Sequence, residues 1–222
     1  MAEKRAATVF QILKQTIALP SLVKSKNDPF ETLIVTVLSQ NTADTNTQRA
    51  FEELSKHFEI TSEALANASL SQIEEAIRSA GLYKSKAKAI KQAATTIFEK
   101  YHGTMQPILS LPLEEARQTL MAFPGVGPKT ADVVLLFSAK QATVPVDTHV
   151  DRVSKRLGFA PMAGNYEAVR KSLQTLFRPE DYLSVHVLLI AHGRKTCKAR
   201  HPLCDTCPVK TYCPTCGQWD KP

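Results

Sequence analysis

All five cysteines of this 222-residue chain lie between Cys197 and Cys216, and the residues before them contain none. Structural thiols buried in a core would be scattered along the chain, and a disulfide framework would span the fold. Thiolates are strong ligands for zinc and for iron. The clustering therefore predicts a metal site at the end of a cysteine-free body.

The spacing of the cysteines leaves two kinds of metal site open. Cys204 with Cys207 and Cys213 with Cys216 form two C-x-x-C pairs that suit tetrahedral zinc, although only five residues separate the pairs. Alternatively, Cys197, Cys204, Cys207 and Cys213 supply four thiolates for an iron–sulfur cluster. A cubane is wider than one zinc ion, and a short, turn-rich loop is able to wrap it. Spacing alone does not decide between zinc and a cluster, and thiols that bind no metal are the third interpretation.

A second candidate site is the glycine- and proline-rich run Phe123–Ala131, which follows one helical segment and precedes an apolar one. Gly125 and Gly127 flank Val126, so the chain is able to turn with φ > 0 and a ligand is able to approach closely. Pro128 is suited to the first turn of the second helix. We expect the N–H groups of Gly125, Val126 and Gly127 to bind one phosphate, helped by that helix's positive end.

Two side chains with reactive groups follow this run. Lys129 comes directly after Pro128, and Asp147 stands eighteen residues later, after a short extended segment and before a helical one. That position predicts that Asp147 is an N-cap. The alternative for the glycine-rich run is a packing corner between two helices, but the flanking prolines and the adjacent lysine favour a phosphate site.

The elements that must position these residues are helices. Apolar residues recur at i, i+3, i+4 and i+7 within Tyr83–Tyr101, while Lys84, Lys88 and Lys91 follow another face. Ser71-x-x-Glu74 predicts a capping box. No segment alternates with period two for long. The sequence therefore predicts an all-α fold.

One further helix start is predicted near the C-terminal third of the chain. Pro179–Asp181 places a proline and two acids in the first turn of a helix that runs toward His192.

Composition narrows the partners and the compartment. The chain is 43% hydrophobic and carries a formal net charge of +7, with a pI near 9.2, which favours a polyanionic partner. No apolar run approaches the 18 residues that a membrane helix needs, and the N-terminus lacks the apolar region of a signal peptide. We expect a soluble intracellular protein with reduced cysteines and no membrane partner.

Several motifs, at matching separations, give the chain a resemblance to the endonuclease III family of DNA glycosylases, in the helix-hairpin-helix superfamily. The resemblance covers about residues 28–214, and the matching segments are Phe123–Ala131, Val146–His149, Leu38–Asp44, Ala80–Ala87, Ala191–Arg194 and the C-x6-C-x2-C-x5-C tail.

The resemblance implies two all-α lobes with the active-site cleft between them. A six-helix barrel containing the helix-hairpin-helix would cover 31–141, and residues 1–30 with 142–222 would form a lobe carrying a [4Fe-4S] cluster. The family's cluster ligands match Cys197, Cys204, Cys207 and Cys213. Cys216 falls outside that pattern and keeps the zinc alternative open.

The resemblance also implies a reaction. Bifunctional members of the family use a lysine, matched by Lys129, to attack the sugar C1′, expel the base and form a Schiff base, after which β-elimination cuts the strand. Asp147 matches the family's aspartate, which stabilises positive charge on the sugar and helps to deprotonate the lysine. The implied function is a DNA glycosylase/AP lyase that excises oxidised or saturated pyrimidines from duplex DNA in base excision repair.

Related activities are the alternatives. Adenine-mismatch glycosylases lack the lysine and rely on a glutamate near the start of the barrel, which Leu38–Asp44 does not offer. Relatives acting on thymine or uracil mismatches usually lack the lysine too, and oxidised-purine glycosylases mostly lack the cluster tail. A non-catalytic helix-hairpin-helix module would have no reason to carry both Lys129 and Asp147.

DNA-contact residues follow from the same resemblance. Asn41, or its neighbour Gln40, and Leu82 match residues that enter the duplex from opposite sides after base flipping. A core position between two helices is the alternative for Leu82. Lys198 and Arg200 are expected to contact phosphates. The expected partner is double-stranded DNA with damaged bases or abasic sites, bound by a monomer at the nucleoid of a prokaryotic cytoplasm.

Overall fold

The computed structural model describes residues 2–18 and 28–218; residues 1, 19–27 and 219–222, which the predicted lobe bounds include, lie outside the described residues. Within the described ranges the chain is helical and contains no strand, which confirms the all-α prediction. None of the described helices is long and apolar enough to cross a membrane.

Twelve α-helices and three short 3-10 helices make up the described chain. The α-helices are α1 (Ala2–Thr16), α2 (Pro29–Leu38), α3 (Asp44–His57), α4 (Ser62–Asn67), α5 (Leu70–Ala76), α6 (Tyr83–Lys100), α7 (Gln106–Leu109), α8 (Leu113–Met121), α9 (Pro128–Ser138), α10 (Thr148–Arg156), α11 (Tyr166–Leu176) and α12 (Tyr182–Lys195). The 3-10 helices are Arg78–Ala80, Pro179–Asp181 and Lys210–Tyr212.

Two helix starts differ from the sequence prediction. The capping box of α5 joins Ser69 to Gln72, two residues before the predicted Ser71–Glu74 pair, and both of its reciprocal hydrogen bonds form. Pro179–Asp181 forms a separate 3-10 helix ahead of α12 and not that helix's own first turn. In both cases the local pattern predicted a start correctly and misplaced it by a few residues.

Described residues 28–141 form one of two compact units. In this unit α6 packs against α4 and α5, and α2 packs against α9. Each fully buried leucine or isoleucine stabilises the fold by about 1.5–3 kcal/mol, so the unit's own side chains determine its shape. The largest of these side chains are Leu33, Ile34, Leu38, Leu54, Leu65, Ile73, Ile77, Ile90, Ile97, Ile108 and Leu120.

A buried ion pair joins the two helices that flank the glycine-rich run. Arg117 of α8 donates from Nε and Nη2 to the carboxylate oxygens of Asp132 in α9, at 2.8 and 3.3 Å. Glu114 accepts from Nη1 at 2.8 Å. The fork geometry fixes α8 against α9 and so sets the angle of the hairpin.

Described residues 2–18 and 142–218 form the second unit. Here α10 packs against α11 and α12, and α1 packs against both α11 and α12. Phe177 lies between two aromatic rings, with its centroid 5.6 Å from that of Phe10 and 5.8 Å from that of Phe159. The residues after Lys195 contain no helix longer than three residues within the described chain.

Candidate functional site

The glycine-rich run forms a tight turn between α8 and α9. Gly125 has φ +77°, and a Cβ added there would lie 2.7 Å from Cβ of Ala89, so both the backbone and the packing require glycine. Val126 is buried and its N–H donates to the carbonyl of Phe123 at 3.0 Å. The expectation that the Val126 N–H points outward toward a phosphate is therefore wrong, because the turn itself uses that donor.

The start of α9 retains the features of an anion site. Gly127 is the N-cap and provides no side chain to cap the helix. The described residues supply no backbone acceptor for the N–H groups of Gly125 and Gly127, and both glycines are exposed. Helix N-termini combine such donors with the positive end of the helix dipole. Lys129, half-buried in the first turn, lies in that field.

A second turn, residues 39–43 (the 39–43 turn), is anchored to the hairpin. The Gln40 side chain donates from Nε2 to the carbonyl of Gly125 at 2.9 Å and to Oγ1 of Thr130 at 3.2 Å. Asn41 is exposed and has φ +51°. Gln40 therefore supports the turn, and Asn41 is the residue that the turn presents.

A third turn, Gly81 and Leu82 (the 81–82 turn), presents a hydrophobic side chain. Leu82 is 63% exposed and has φ +47°, a left-handed conformation that costs an L-residue about 1–2 kcal/mol. The core alternative for Leu82 is wrong, because a core leucine would be buried. An exposed leucine in a strained conformation is the kind of outlier that marks functional turns.

Asp147 begins α10 as its N-cap, as the sequence predicted. Its Oδ1 accepts the N–H of Val150 at 2.7 Å, and the residue is half-buried. The extended segment before it is fixed from both sides, since Nδ1 of His186 lies 2.9 Å from the carbonyl of Pro145 and the Tyr166 hydroxyl accepts from Val146 at 3.4 Å. The remaining carboxylate oxygen is thereby held in one orientation.

His149, the second residue of α10, interacts electrostatically with this carboxylate. Burial lowers the pKa of His149, and the charge of Asp147 acts in the opposite direction. Nη2 of Arg152 lies 3.2 Å from His149 Nδ1.

Two arginines on α10 bind the loop that follows α12, a role that was not predicted from the sequence. Arg152 donates from Nε to the carbonyl of Cys197 at 3.1 Å and from Nη2 to that of Gly193 at 2.9 Å. Buried Arg156 donates to the carbonyls of Lys198 and Ala199 at 2.6 and 3.1 Å. Their i, i+4 spacing was the available signal, since it places both on one face of α10.

The cysteine loop, residues 197–216, surrounds one cavity. Cys197, Cys204, Cys207 and Cys213 are each partly buried, whereas Cys216 is exposed. All five thiols line the cavity together with Arg156 and His192. Exposed Lys198 and Arg200 lie at the start of this loop, where Arg156 fixes the backbone.

Polar groups around the thiols are arranged for a sulfur-bound group. Arg156 Nη1 donates to Sγ of Cys197 at 3.6 Å, and the His192 ring Nε2 lies 3.8 Å from Sγ of Cys207. Burial lowers the pKa of His192 to about 4, so the ring is neutral at neutral pH. Burial also raises the pKa of the Cys207 thiol, and iron coordination offsets that cost by binding the thiolate.

The thiols line a common cavity, as the ligands of a cluster would. Within residues 2–18 and 28–218, no three His, Cys, Asp or Glu side chains are arranged to hold one metal ion. In a tetrahedral zinc site the Zn–S distance is about 2.3 Å, so the thiolates crowd around one point. The four predicted ligands instead surround a space, as the larger cubane requires.

Comparison with protein families agrees with this site. Residues 34–179 match the HhH-GPD superfamily of base excision DNA repair proteins. Residues 197–213 match the iron–sulfur binding domain of endonuclease III, and this segment begins and ends at two of the predicted ligands, Cys197 and Cys213.

Known relatives cover nearly the whole chain. Endonuclease III of Sulfolobus acidocaldarius is 42% identical over 185 residues, which is 83% of this chain and 81% of that protein. Endonuclease III of Escherichia coli K12 is 32% identical over 213 residues, 96% of each. The chain belongs to the endonuclease III family. It is a base excision repair enzyme, a DNA glycosylase/AP lyase.

Solved structures agree with this assignment. A trapped covalent intermediate of endonuclease III with DNA aligns with a TM-score of 0.82 and 33% identity, covering 96% of this chain and 95% of that one. A thermostable thymine-DNA glycosylase aligns with a TM-score of 0.72 at 20% identity, which shows a shared fold only.

Family membership also decides the metal. The iron–sulfur domain match shows that this endonuclease III carries a [4Fe-4S] cluster, so the zinc alternative is set aside. When bound, the cluster supplies a fixed cross-link among the thiolates of an otherwise irregular loop.

Proposed function

We propose that this endonuclease III excises oxidised or saturated pyrimidines from double-stranded DNA and then nicks the strand by β-elimination. The observation that carries the proposal is Lys129, which lies in the first turn of α9 directly after the exposed donors of Gly125 and Gly127. A phosphate bound by those donors would bring the DNA backbone to the lysine.

Lys129 is the proposed nucleophile. An amine must be neutral to attack the sugar C1′, and the positive end of a helix favours the neutral form of a lysine. Attack by the neutral amine forms the Nζ–C1′ bond while the C1′–N bond to the base breaks, and the base leaves with that electron pair and takes up a proton. The nitrogen then loses a proton and the C1′–O4′ bond breaks, with its electron pair and a proton going to O4′. The resulting protonated Schiff base acidifies the neighbouring C2′ proton. Loss of that proton breaks the C3′–O bond. The solved structure of a trapped covalent intermediate between an endonuclease III and DNA supports this route.

Asp147 is the proposed electrostatic partner. Its carboxylate would stabilise positive charge on the sugar and help to deprotonate Lys129. The capping bond to Val150 fixes its side chain, so the structural and catalytic roles are compatible.

The remaining proposed DNA contacts fall into two groups, residues that would bind phosphates and residues that would enter the duplex. Gly125, Gly127, Lys198 and Arg200 would contact phosphates. Asn41 and Leu82 would enter the duplex beside the flipped base, with Gln40 supporting the turn that carries Asn41.

The domain organisation and cluster ligands are part of the same proposal. We propose a barrel domain of residues 31–141 and a cluster domain of residues 1–30 and 142–222. The ligands would be Cys197, Cys204, Cys207 and Cys213, with Cys216 beside them as a fifth, uncoordinated thiol. The enzyme would act as a monomer on the nucleoid of a prokaryotic cytoplasm.

A cleavage panel tests the substrate class. Purified enzyme is incubated with matched duplexes that carry a saturated thymine, an oxidised purine, a G·T mismatch or an A opposite an oxidised guanine. We expect excision and nicking of the saturated-thymine duplex, at least about tenfold faster than of the others. Faster excision from either mismatch would overturn the pyrimidine-damage assignment.

A further inference from the structure

Lys86 is the most buried lysine among the described residues, and the proposed reaction gives it no role. Its residue exposure is 3%, and burial lowers its pKa. The ammonium group donates to two backbone carbonyls, those of Leu38 at 2.8 Å and Ala80 at 2.7 Å. A charged group this deeply buried is retained only where it satisfies specific acceptors.

The two carbonyls belong to the ends of two different elements. Leu38 is the last residue of α2, and Ala80 is the last residue of the Arg78–Ala80 helix. Helix C-terminal carbonyls carry partial negative charge and lack intrahelical donors, so one ammonium group is able to bind both ends.

Each of these ends leads directly into one of the two proposed DNA-inserting turns. The 39–43 turn, with Asn41 at φ +51°, follows Leu38. The 81–82 turn, with Leu82 at φ +47°, follows Ala80. Left-handed non-glycine residues persist only where the surrounding structure fixes them.

We propose that Lys86 is a positioning residue that fixes the 39–43 and 81–82 turns relative to each other before DNA is bound. The inference rests on the proposed insertion of Asn41 and Leu82. Two residues that enter one duplex from opposite sides must keep a set separation, and a single ammonium group bonded at the base of both turns fixes it. Gln40, bonded to Gly125 and Thr130, adds a second anchor to the 39–43 turn.

The chain provides a matched control on the same helix. Lys91 of α6 donates to the carbonyls of Ala66 and Ala68 at 2.9 and 2.6 Å, at the end of α4. It makes the same kind of contact as Lys86, but neither inserting turn follows from α4. A loss that reflects only a weakened helix end should therefore occur equally in both lysine variants.

The test compares Lys86→Met, Lys91→Met and Leu82→Ala in the full cluster-loaded enzyme, each at a temperature well below its melting midpoint. Two substrates are used: a lesion in duplex DNA, where a base must leave the stack, and an abasic site in single-stranded DNA, where none must. We expect Lys86→Met to reduce duplex excision about tenfold while single-strand lyase activity stays within about twofold. Lys91→Met should change the ratio of the two activities by less than about twofold.

A double variant shows whether Lys86 acts through Leu82. The Lys86→Met, Leu82→Ala enzyme should excise from duplex DNA no more than about threefold slower than Leu82→Ala alone. If Lys86→Met does not fold, Lys86→Gln takes the place of that variant in every comparison, since the glutamine amide retains donors for one of the two carbonyls. Equal loss on both substrates, a duplex-specific loss in Lys91→Met, or full additivity in the double variant would overturn the positioning role.

Failure of this inference is separable from failure of the proposed function. If Leu82→Ala loses duplex excision selectively and Lys86→Met does not, the insertion model stands and the role of Lys86 is refuted. If Leu82→Ala shows no duplex-specific loss, insertion itself is refuted, and the inference about Lys86 is refuted with it.

Discussion

The two units of this endonuclease III stabilise their functional loops by different means. In residues 28–141, the turns that present Asn41, Leu82 and the glycines are fixed by the unit's own side chains, through Gln40 and Lys86. In the cysteine loop of the other unit, Val209 is the only buried hydrophobic side chain apart from Pro202, and four partly buried thiols surround a cavity.

The difference predicts a different dependence on the cofactor. The cysteine loop buries almost no apolar side chain. It therefore lacks the hydrophobic burial that offsets the conformational entropy of a folded segment. Arg152 and Arg156 bind its first carbonyls, but the remainder depends on the cross-link that the cluster provides. The hairpin unit should keep its shape without iron, and the cysteine loop should not.

Cys213→Ala should give the largest effect, because it removes a proposed ligand. We expect loss of visible charge-transfer absorbance and a fall in iron affinity of at least about 100-fold, because second-shell changes alone cost 10–100-fold. Duplex binding should weaken too, since the loop that carries Lys198 and Arg200 loses its cross-link. Iron analysis, absorbance and duplex binding measure these three quantities. Cys216→Ala is the control and should retain its iron; bleaching of Cys216→Ala instead would assign the ligands differently.

Asp147→Asn should reduce excision by about 100-fold or more, since the charge that stabilises the sugar cation is lost. Asparagine caps a helix nearly as well as aspartate, so the melting temperature should change little. Single-turnover excision together with thermal unfolding separates the two roles of the residue. Normal excision by a stable variant would leave Asp147 with its capping role alone.

Two glycines of the hairpin, Gly125 and Gly127, should respond differently to substitution by alanine. Gly125→Ala should destabilise the protein by about 1–3 kcal/mol, because the new Cβ would meet Ala89 at a positive φ. Gly127→Ala meets no atom within 4 Å at φ −93°, so its unfolding free energy should fall only by the roughly 0.5–1 kcal/mol that alanine costs relative to glycine at an N-cap.

The effect of Gly127→Ala should be seen in binding instead. Its methyl group would occupy the space through which a phosphate approaches, so duplex affinity should fall while most of the stability is kept. Denaturant unfolding and duplex titration measure the two quantities. Unchanged affinity in a stable Gly127→Ala protein would place the phosphate elsewhere.

Lys198→Ala and Arg200→Ala should give the smallest effect, a change in salt dependence. Each lost phosphate contact should reduce the slope of log K against log salt by about 0.9. Lys171→Ala, an exposed lysine of α11 outside the proposed surfaces, is the matched control and should leave the slope unchanged. An equal change in all three variants would indicate a general effect of net charge.

Patterns with a local physical cause could be predicted from the sequence. The apolar periodicity of Tyr83–Tyr101 gave α6 to within one residue, and Asp147 was correctly predicted to cap α10. The α5 capping box was misplaced because Ser69–Gln72 and Ser71–Glu74 fit the same pattern. Only the residue at which α5 begins in the structure distinguishes the two pairs.

Long-range contacts could not be predicted in the same way. Gln40 bonds to Gly125, 85 residues away, so its supporting role has no local signature. The sequence does carry a partial signal for Lys86, which lies four residues before Ile90 and therefore on the apolar face of α6. A charged residue on the apolar face of a helix indicates that a buried hydrogen-bond acceptor lies nearby, but it does not identify that acceptor. The sequence placed Lys91 on a face other than the apolar one, with no indication that it binds carbonyls at the end of α4.

The central claim, that Lys129 forms the covalent bond to DNA, is tested most directly by borohydride trapping on an abasic-site duplex. Wild-type enzyme should give a protein–DNA band of reduced mobility. Lys129→Gln should give no band and no strand scission while its duplex affinity stays within about threefold of wild type, since the phosphate donors of the hairpin remain. A trapped band of wild-type intensity from Lys129→Gln would contradict the account and assign the nucleophile to another amine.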